Sequence, residues 1–141
     1  MASPVSAQVI LCDAAVADAA GKISMLGAGW SITSSPTAPH SVAILIKVPW
    51  DRTNQQIPLV LALNDSDGQQ VTLHTSGGEE KIGVQAGIEV GRPAGVAAGT
   101  PIDASFVMNV PSLPLSPGRY EWRVTLGDDS YFAAFSVRQP Q

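Results

Sequence analysis

The sequence predicts an all-β chain, a single antiparallel β-sandwich domain of the immunoglobulin-like, Greek-key kind with eight or nine short strands. Three observations predict it. Four windows alternate apolar and other residues with a period of two, the repeat of strands whose successive side chains point to opposite sheet faces. All 11 prolines fall at proposed strand ends, in loops or in the tails, where the missing ladder donor does no harm. The phrase Leu113-Pro114-Leu115-Ser116-Pro117-Gly118-Arg119-Tyr120 leads straight into a strong strand, like a Greek-key corner whose tyrosine bonds back to the preceding loop.

In chain order, residues 8–13 and 22–33 read as weaker strands around an alanine-rich connection, 14–21, with room for one helical turn. Residues 41–50 place Val42, Ile44, Ile46, Val48 and Trp50 on one face. Leu59, Leu61 and Leu63 mark the next strand, turned back at Asp65-Ser66-Asp67-Gly68 into residues 69–74. In residues 81–90, Ile82, Val84, Ala86, Ile88 and Val90 alternate with Lys81, Gly83, Gln85, Gly87 and Glu89. Ile102, Ala104, Phe106, Met108 and Val110 form one more apolar face, and Tyr120, Trp122, Val124 and Leu126 another. In immunoglobulin domains a core cysteine lies two residues after the corner tyrosine. Here that position is Trp122, so a packed indole is expected in place of a disulfide. Residues 131–138 close the sheet after the turn Gly127-Asp128-Asp129, with 1–6 and 139–141 expected as loose tails.

At 141 residues the chain suits one domain. Hydrophobic residues make up 45%, which excludes a solvating, disordered sequence. The pI of 4.9 argues against nucleic acid, whose recognition needs cations. One cysteine, Cys12, excludes an intrachain disulfide and any thiolate cluster, and it reads as a small buried hydrophobe. No apolar run is long enough for a membrane helix. The first eight residues lack the positive n-region of a secretory signal, so the expected location is the cytoplasm.

Leu11-Cys12-Asp13-Ala14-Ala15, Gly21-Lys22-Ile23, Leu26-Gly27-Ala28-Gly29-Trp30, Pro39-His40, Val48-Pro49-Trp50-Asp51, Gly91-Arg92-Pro93 and Pro117-Gly118-Arg119-Tyr120-Glu121-Trp122 follow one another along the chain. In this phrase order the sequence resembles a family of small bacterial proteins, frequent in actinobacteria, that has no assigned function. The resemblance spans nearly the whole chain. It implies a single cytoplasmic domain and supplies no activity and no functional residues.

No coherent catalytic set is visible. Asp65-Ser66-Asp67-Gly68 matches a fragment of a calcium loop, but Leu63 stands at a ligand position and no glutamate follows in register. A hairpin turn is the better reading. His74-Thr75 puts an imidazole beside a hydroxyl only in sequence, because strand neighbours face opposite ways. His40 reads as a surface or satisfied core histidine, and Glu79-Glu80 after Gly77-Gly78 as a solvated loop tip. Gly27-Ala28-Gly29 lacks the helix and lysine of a phosphate loop. Catalytic residues, cofactors and metals are therefore not expected.

Charge is the remaining clue. Only 14% of residues are charged, against about 25% in ordinary domains, and between Arg92 and Arg119 the single ionisable side chain is Asp103. A compact monomer of this mass exposes roughly 6,900 Å², so charges are sparse. An edge strand or outer sheet face of such a chain is free to pair. The expected function is non-enzymatic: a protein–protein interaction or self-assembling module, most simply a homo-oligomer. The alternative is a small-ligand or carbohydrate-binding module that uses exposed tryptophan. Candidate contact residues are Trp30, Trp50 with Asp51 and Arg52 beside it, and Arg92, Pro93 and Val96 in the long loop 91–101, since connections of that length are often functional.

Overall fold

The computed structural model describes residues 3–140. The fold is all-β, with one short 3₁₀ turn, Trp50–Arg52, among strands. Three strands form one sheet in the order β1-β5-β10: β1 (Ser6–Cys12), β5 (His40–Val48) and β10 (Ile102–Val110). Five form another in the order β4-β12-β11-β6-β9: β4 (Ile32–Thr33), β6 (Ile57–Asp65), β9 (Gly83–Ile88), β11 (Gly118–Leu126) and β12 (Asp129–Val137). Two hairpins complete the fold, β2 (Ala14–Ala17) with β3 (Ile23–Leu26) and β7 (Thr72–Thr75) with β8 (Gly78–Lys81).

The larger sheets share one core. Val42, Ile44, Ile46 and Val48 of β5 meet Leu59, Leu61 and Leu63 of β6 and Trp122, Val124 and Leu126 of β11. These are the inward phases of the alternation, all fully or almost fully buried. Each contributes about 1.5–3 kcal/mol relative to an exposed position. The inward residues of β9 and β10 follow the same phase but, except for the buried Val110, are half-buried, because both strands lie at sheet edges. Tyr120 Oη donates to the Ser116 carbonyl at 2.7 Å, and Trp122 packs fully buried two residues on.

Several expectations need correction. Residues 14–21 hold no helical turn: Ala14–Ala17 pairs with β3 in the register Ala14↔Leu26 to Ala17↔Ile23. The Asp18 carboxylate closes that hairpin by accepting from the amides of Ala20 (2.8 Å) and Lys22 (3.0 Å). Alanine's helix preference is outweighed by pairing and by a turn that satisfies its own donors. Twelve strands stand among the described residues, because Ala14–Ala17 is a strand in its own right, 22–33 breaks into β3 and β4, and Lys81 belongs to β8, which starts at Gly78, leaving Gly83–Ile88 of the expected 81–90 as β9. Gly27 and Gly29 have φ of +63° and +92°, which ends β3 before Trp30. The pairing is not wholly antiparallel, since β4 runs parallel to β12. Of the expected tails, residues 1, 2 and 141 lie outside the described residues. The segment from Ser3 is docked instead of loose: Val5 is fully buried, its carbonyl accepts from Tyr131 Oη at 2.6 Å, and Ser6 opens β1.

Candidate functional site

The expected contact residues divide into two places. His40 opens β5 and Trp50 follows its end, a span of about 30 Å at strand rise. Trp30 packs at the His40 end, edge-on to His40 (5.1 Å between centroids) and to Phe135 (5.5 Å). Its indole Nε1 is buried without a hydrogen-bond partner among the described residues. Trp30 and Trp50 therefore lie at opposite ends of the fold and form no common platform.

Behind Trp30 the polar atoms are satisfied. His40 is buried, its Nδ1–H donates to the Ala38 carbonyl (2.9 Å), and its Nε2 accepts from Trp122 Nε1 (3.3 Å). That pattern defines a neutral imidazole, and burial lowers the His40 pKa below its ordinary value against the opposing pull of the Ala38 carbonyl. His40 is a satisfied core histidine. His74 is exposed, its Nδ1 3.8 Å from the Glu79 carboxylate.

At the other end, Arg92 clamps the Trp50 turn. Its Nη2 donates to the Trp50 carbonyl (2.8 Å) and its Nε to Thr53 Oγ1 (2.7 Å). The guanidinium carbon sits 4.2 Å from the Trp50 ring centroid, a cation–π contact. Asp51 and Arg52 are engaged with the N-terminal segment. Asp51 accepts from the Ser3 amide and hydroxyl, which holds its pKa below the ordinary value, and Arg52 Nη1 donates to the Ser3 carbonyl (3.2 Å). Pro93 is exposed and Val96 half-buried, within a loop folded by two turns, Val96 N–H to Pro93 O and Thr100 N–H to Ala97 O. This constellation fastens a loop and a terminus. Among the described residues no group of three His, Cys, Asp or Glu side chains is placed to hold a metal, and no helix is long and apolar enough to cross a membrane.

The most distinctive surface lies elsewhere, on the outer face of the five-stranded sheet. Residues directly opposite in a ladder share a face, and the register Phe132↔Arg123↔Ala62 with Ser130↔Thr125↔Val60 defines it. Phe132 is 54% exposed, Val60 38%, and Ile32 on β4 62%. Around them are Ala62, Gly83, Ala134, Ser130 and Thr125. Arg123 lies over the Phe132 ring at 4.9 Å and bonds to Glu121, while Arg119, exposed opposite Ser136, shares the face. The sequence held one sign of this face: Phe132 stands on the polar phase of a strand whose core phase is Tyr131, Ala133, Phe135 and Val137.

Comparisons of the chain with curated proteins and with solved structures returned no match. The model of a family of unknown function, DUF6941, matches residues 8–134, from β1 almost to the end of β12, and the chain belongs to this family.

Proposed function

We propose that the protein is a non-enzymatic interaction module with an immunoglobulin-like sandwich fold, and that it self-associates through the outer face of its five-stranded sheet. The fold reading draws support from strand order. The orders β1-β5-β10 and β12-β11-β6-β9 parallel the A-B-E and G-F-C-C′ sheets of variable-type immunoglobulin domains, and Tyr120 makes the corner bond. The location we infer is the cytoplasm, where a lone reduced thiol such as Cys12 is stable.

The observation that carries the functional reading is the set Phe132, Val60 and Ile32, exposed on a face whose other residues are mostly small, with the Arg123–Glu121 pair and the exposed Arg119 opposite Ser136 as its charges. Exposed apolar area of this kind marks contact sites. A second copy is a fitting occupant because, among the described residues, the charges within the strands of this face come to the internal Arg123–Glu121 pair and a single unpaired cation, Arg119, at the β4 end, which leaves the Phe132 and Val60 part free to meet itself in a two-fold, self-complementary contact. Four strands of about seven residues cover roughly 20 Å by 23 Å. That is the small end of specific interfaces, which implies a dissociation constant on the order of micromolar.

Light scattering after size exclusion, across a dilution series, tests the reading. The expected result is a mass near twice 14.6 kDa at high concentration, falling to the monomer on dilution, and monomer throughout for Phe132→Glu. A wild-type monomer at every concentration would overturn self-association.

A further inference from the structure

The opposite side of the molecule carries a different feature. On the outer face of β1-β5-β10, Cys12, Ser41 and Ala43 are buried where β2 packs across β5 and β10, while Asn109 opposite Ser41 stays exposed at the edge. Further along the strands the β2–β3 hairpin ends and its turn overhangs the sheet, with Gly21 close enough that a Cβ there would sit 3.8 Å from Ser105 Oγ. Beneath the turn is a groove of about 660 Å³, within the range of about 300–1,000 Å³ usual for small-molecule sites. Leu45, outward-facing between Gln8 and Ser105, forms its floor, and Ile23 and Ala20 line the hairpin side.

Charge distinguishes this groove. The chain has net charge -4 and only three lysines, Lys22, Lys47 and Lys81. Two of them line the groove from opposite walls, Lys22 on the hairpin and Lys47 on β5. Lys47 is paired with Asp103, whereas the Lys22 ammonium has no ion-pair partner among the described residues. The result is an apolar floor with one cation free of an ion pair above it, its turn closed by Asp18, whose carboxylate is engaged by the Ala20 and Lys22 amides, and the Gln8 amide nearby. We propose that this groove binds a small amphiphilic carboxylate, its apolar body on Leu45 and Ile23 and its anionic head at Lys22. A sugar has no aromatic ring to stack on here, a zwitterion would set its cation against Lys22, and a dianion would meet Asp103.

Sodium octanoate is the probe, followed by ¹H–¹⁵N correlation spectra of the intact chain. The amides of residues 20–23, 45–47 and 103–105 are expected to shift in a saturable way with a dissociation constant on the order of millimolar, the affinity suited to ten heavy atoms. Acetate, which lacks the body, and 1-octanol, which lacks the charge, are each expected to bind at least about tenfold more weakly, as are Lys22→Ala and Leu45→Asp. Both substitutions are at solvent-accessible positions, and unchanged spectra elsewhere will verify the fold. Absence of saturable shifts, equal binding of octanol, or equal binding by Lys22→Ala would overturn the proposal. So would shifts of these amides with protein concentration alone, persisting in Phe132→Glu, because a second copy would then fill the groove. The groove and the Phe132 face lie on different sheets, so either proposal can fail without the other.

Discussion

His40 and Trp122 show how a single pair sets a measurable property. The His40 imidazole is neutral, with one nitrogen donating to Ala38 and the other accepting from Trp122. Protonation would turn Nε2 into a donor facing the indole N–H, inside the core. The folded pKa is therefore depressed, chiefly by burial, while the unfolded chain keeps about 6.5. Between these values the unfolded state binds more protons, so stability is complete above about pH 6.5 and declines as pH falls toward the depressed folded value. Urea midpoints measured from pH 8 to pH 5 are expected to show this slope in the wild type and not in His40→Gln. Tyr120→Phe is expected to cost about 0.5–1.5 kcal/mol by urea denaturation, the usual net worth of one hydrogen bond, here to Ser116. Cys12 is buried, its Sγ–H points to the Ser41 carbonyl, and burial followed by the Asp13 charge raises its pKa. Its thiol should react with a disulfide reagent only at the rate of unfolding; rapid labelling of the native protein would contradict this placement. The sequence identified Trp122 and Cys12 as core residues by their neighbours, but His40 could not be assigned, because its partners lie 82 residues along the chain at Trp122 and two residues away at Ala38.

Strands and loops carry the next level. The loop 91–101 is held at its start by Arg92, through two hydrogen bonds and the Trp50 ring, next to the hydrogen bond from the Asn54 amide to the Val90 carbonyl. Arg92→Ala is expected to lower stability by about 1 kcal/mol, a cation–π contact plus partly exposed bonds. It should also raise hydrogen exchange in residues 53–54 and 91–101, leaving β11 protected; exchange spread evenly over all strands would refute the clamp. A central strand behaves differently. Leu61→Ala on β6, between β11 and β9, is expected to cost about 2–5 kcal/mol as a core truncation. The alternation of β5, β9, β10 and β11 was legible because strand phase is a local property of consecutive residues. The β2–β3 hairpin was not. Alanine is nearly silent in a polar–apolar pattern, and the pairing is decided by Asp18 and by packing across β5 and β10.

On the scale of the molecule, the chain exposes 8210 Å², more than the roughly 6,900 Å² of a compact monomer of this mass. Most residues of the hairpins β2–β3 and β7–β8 and of the loop 91–101 are exposed. Its few charges are spread over this area, and the Phe132 face is the flat part of it. Self-association there predicts a dimer of weak salt dependence, because the contact is largely apolar, its ion pair lies within each chain and, among the described residues, Arg119 is the one unpaired charge within its strands. Sedimentation at low and high ionic strength should give the same dissociation constant within about threefold, whereas a steep salt dependence would point to a charged interface instead.

Composition and periodicity alone determined that this chain is all-β, which residues of its long strands face inward, and that its surface is poor in charge. All of these follow from neighbours in sequence and from totals. Tertiary structure alone decided that β4 joins β12 in parallel, that Trp30 and Trp50 are held at opposite ends, and that Asp51, Arg52 and Arg92 fasten a terminus and a loop. It also decided that a hairpin covers part of one outer sheet face while Phe132 stands open on the other. A period of two is the same whichever strand lies alongside, so the choice of partner, and with it every surface and groove, comes from contacts between residues far apart in the chain.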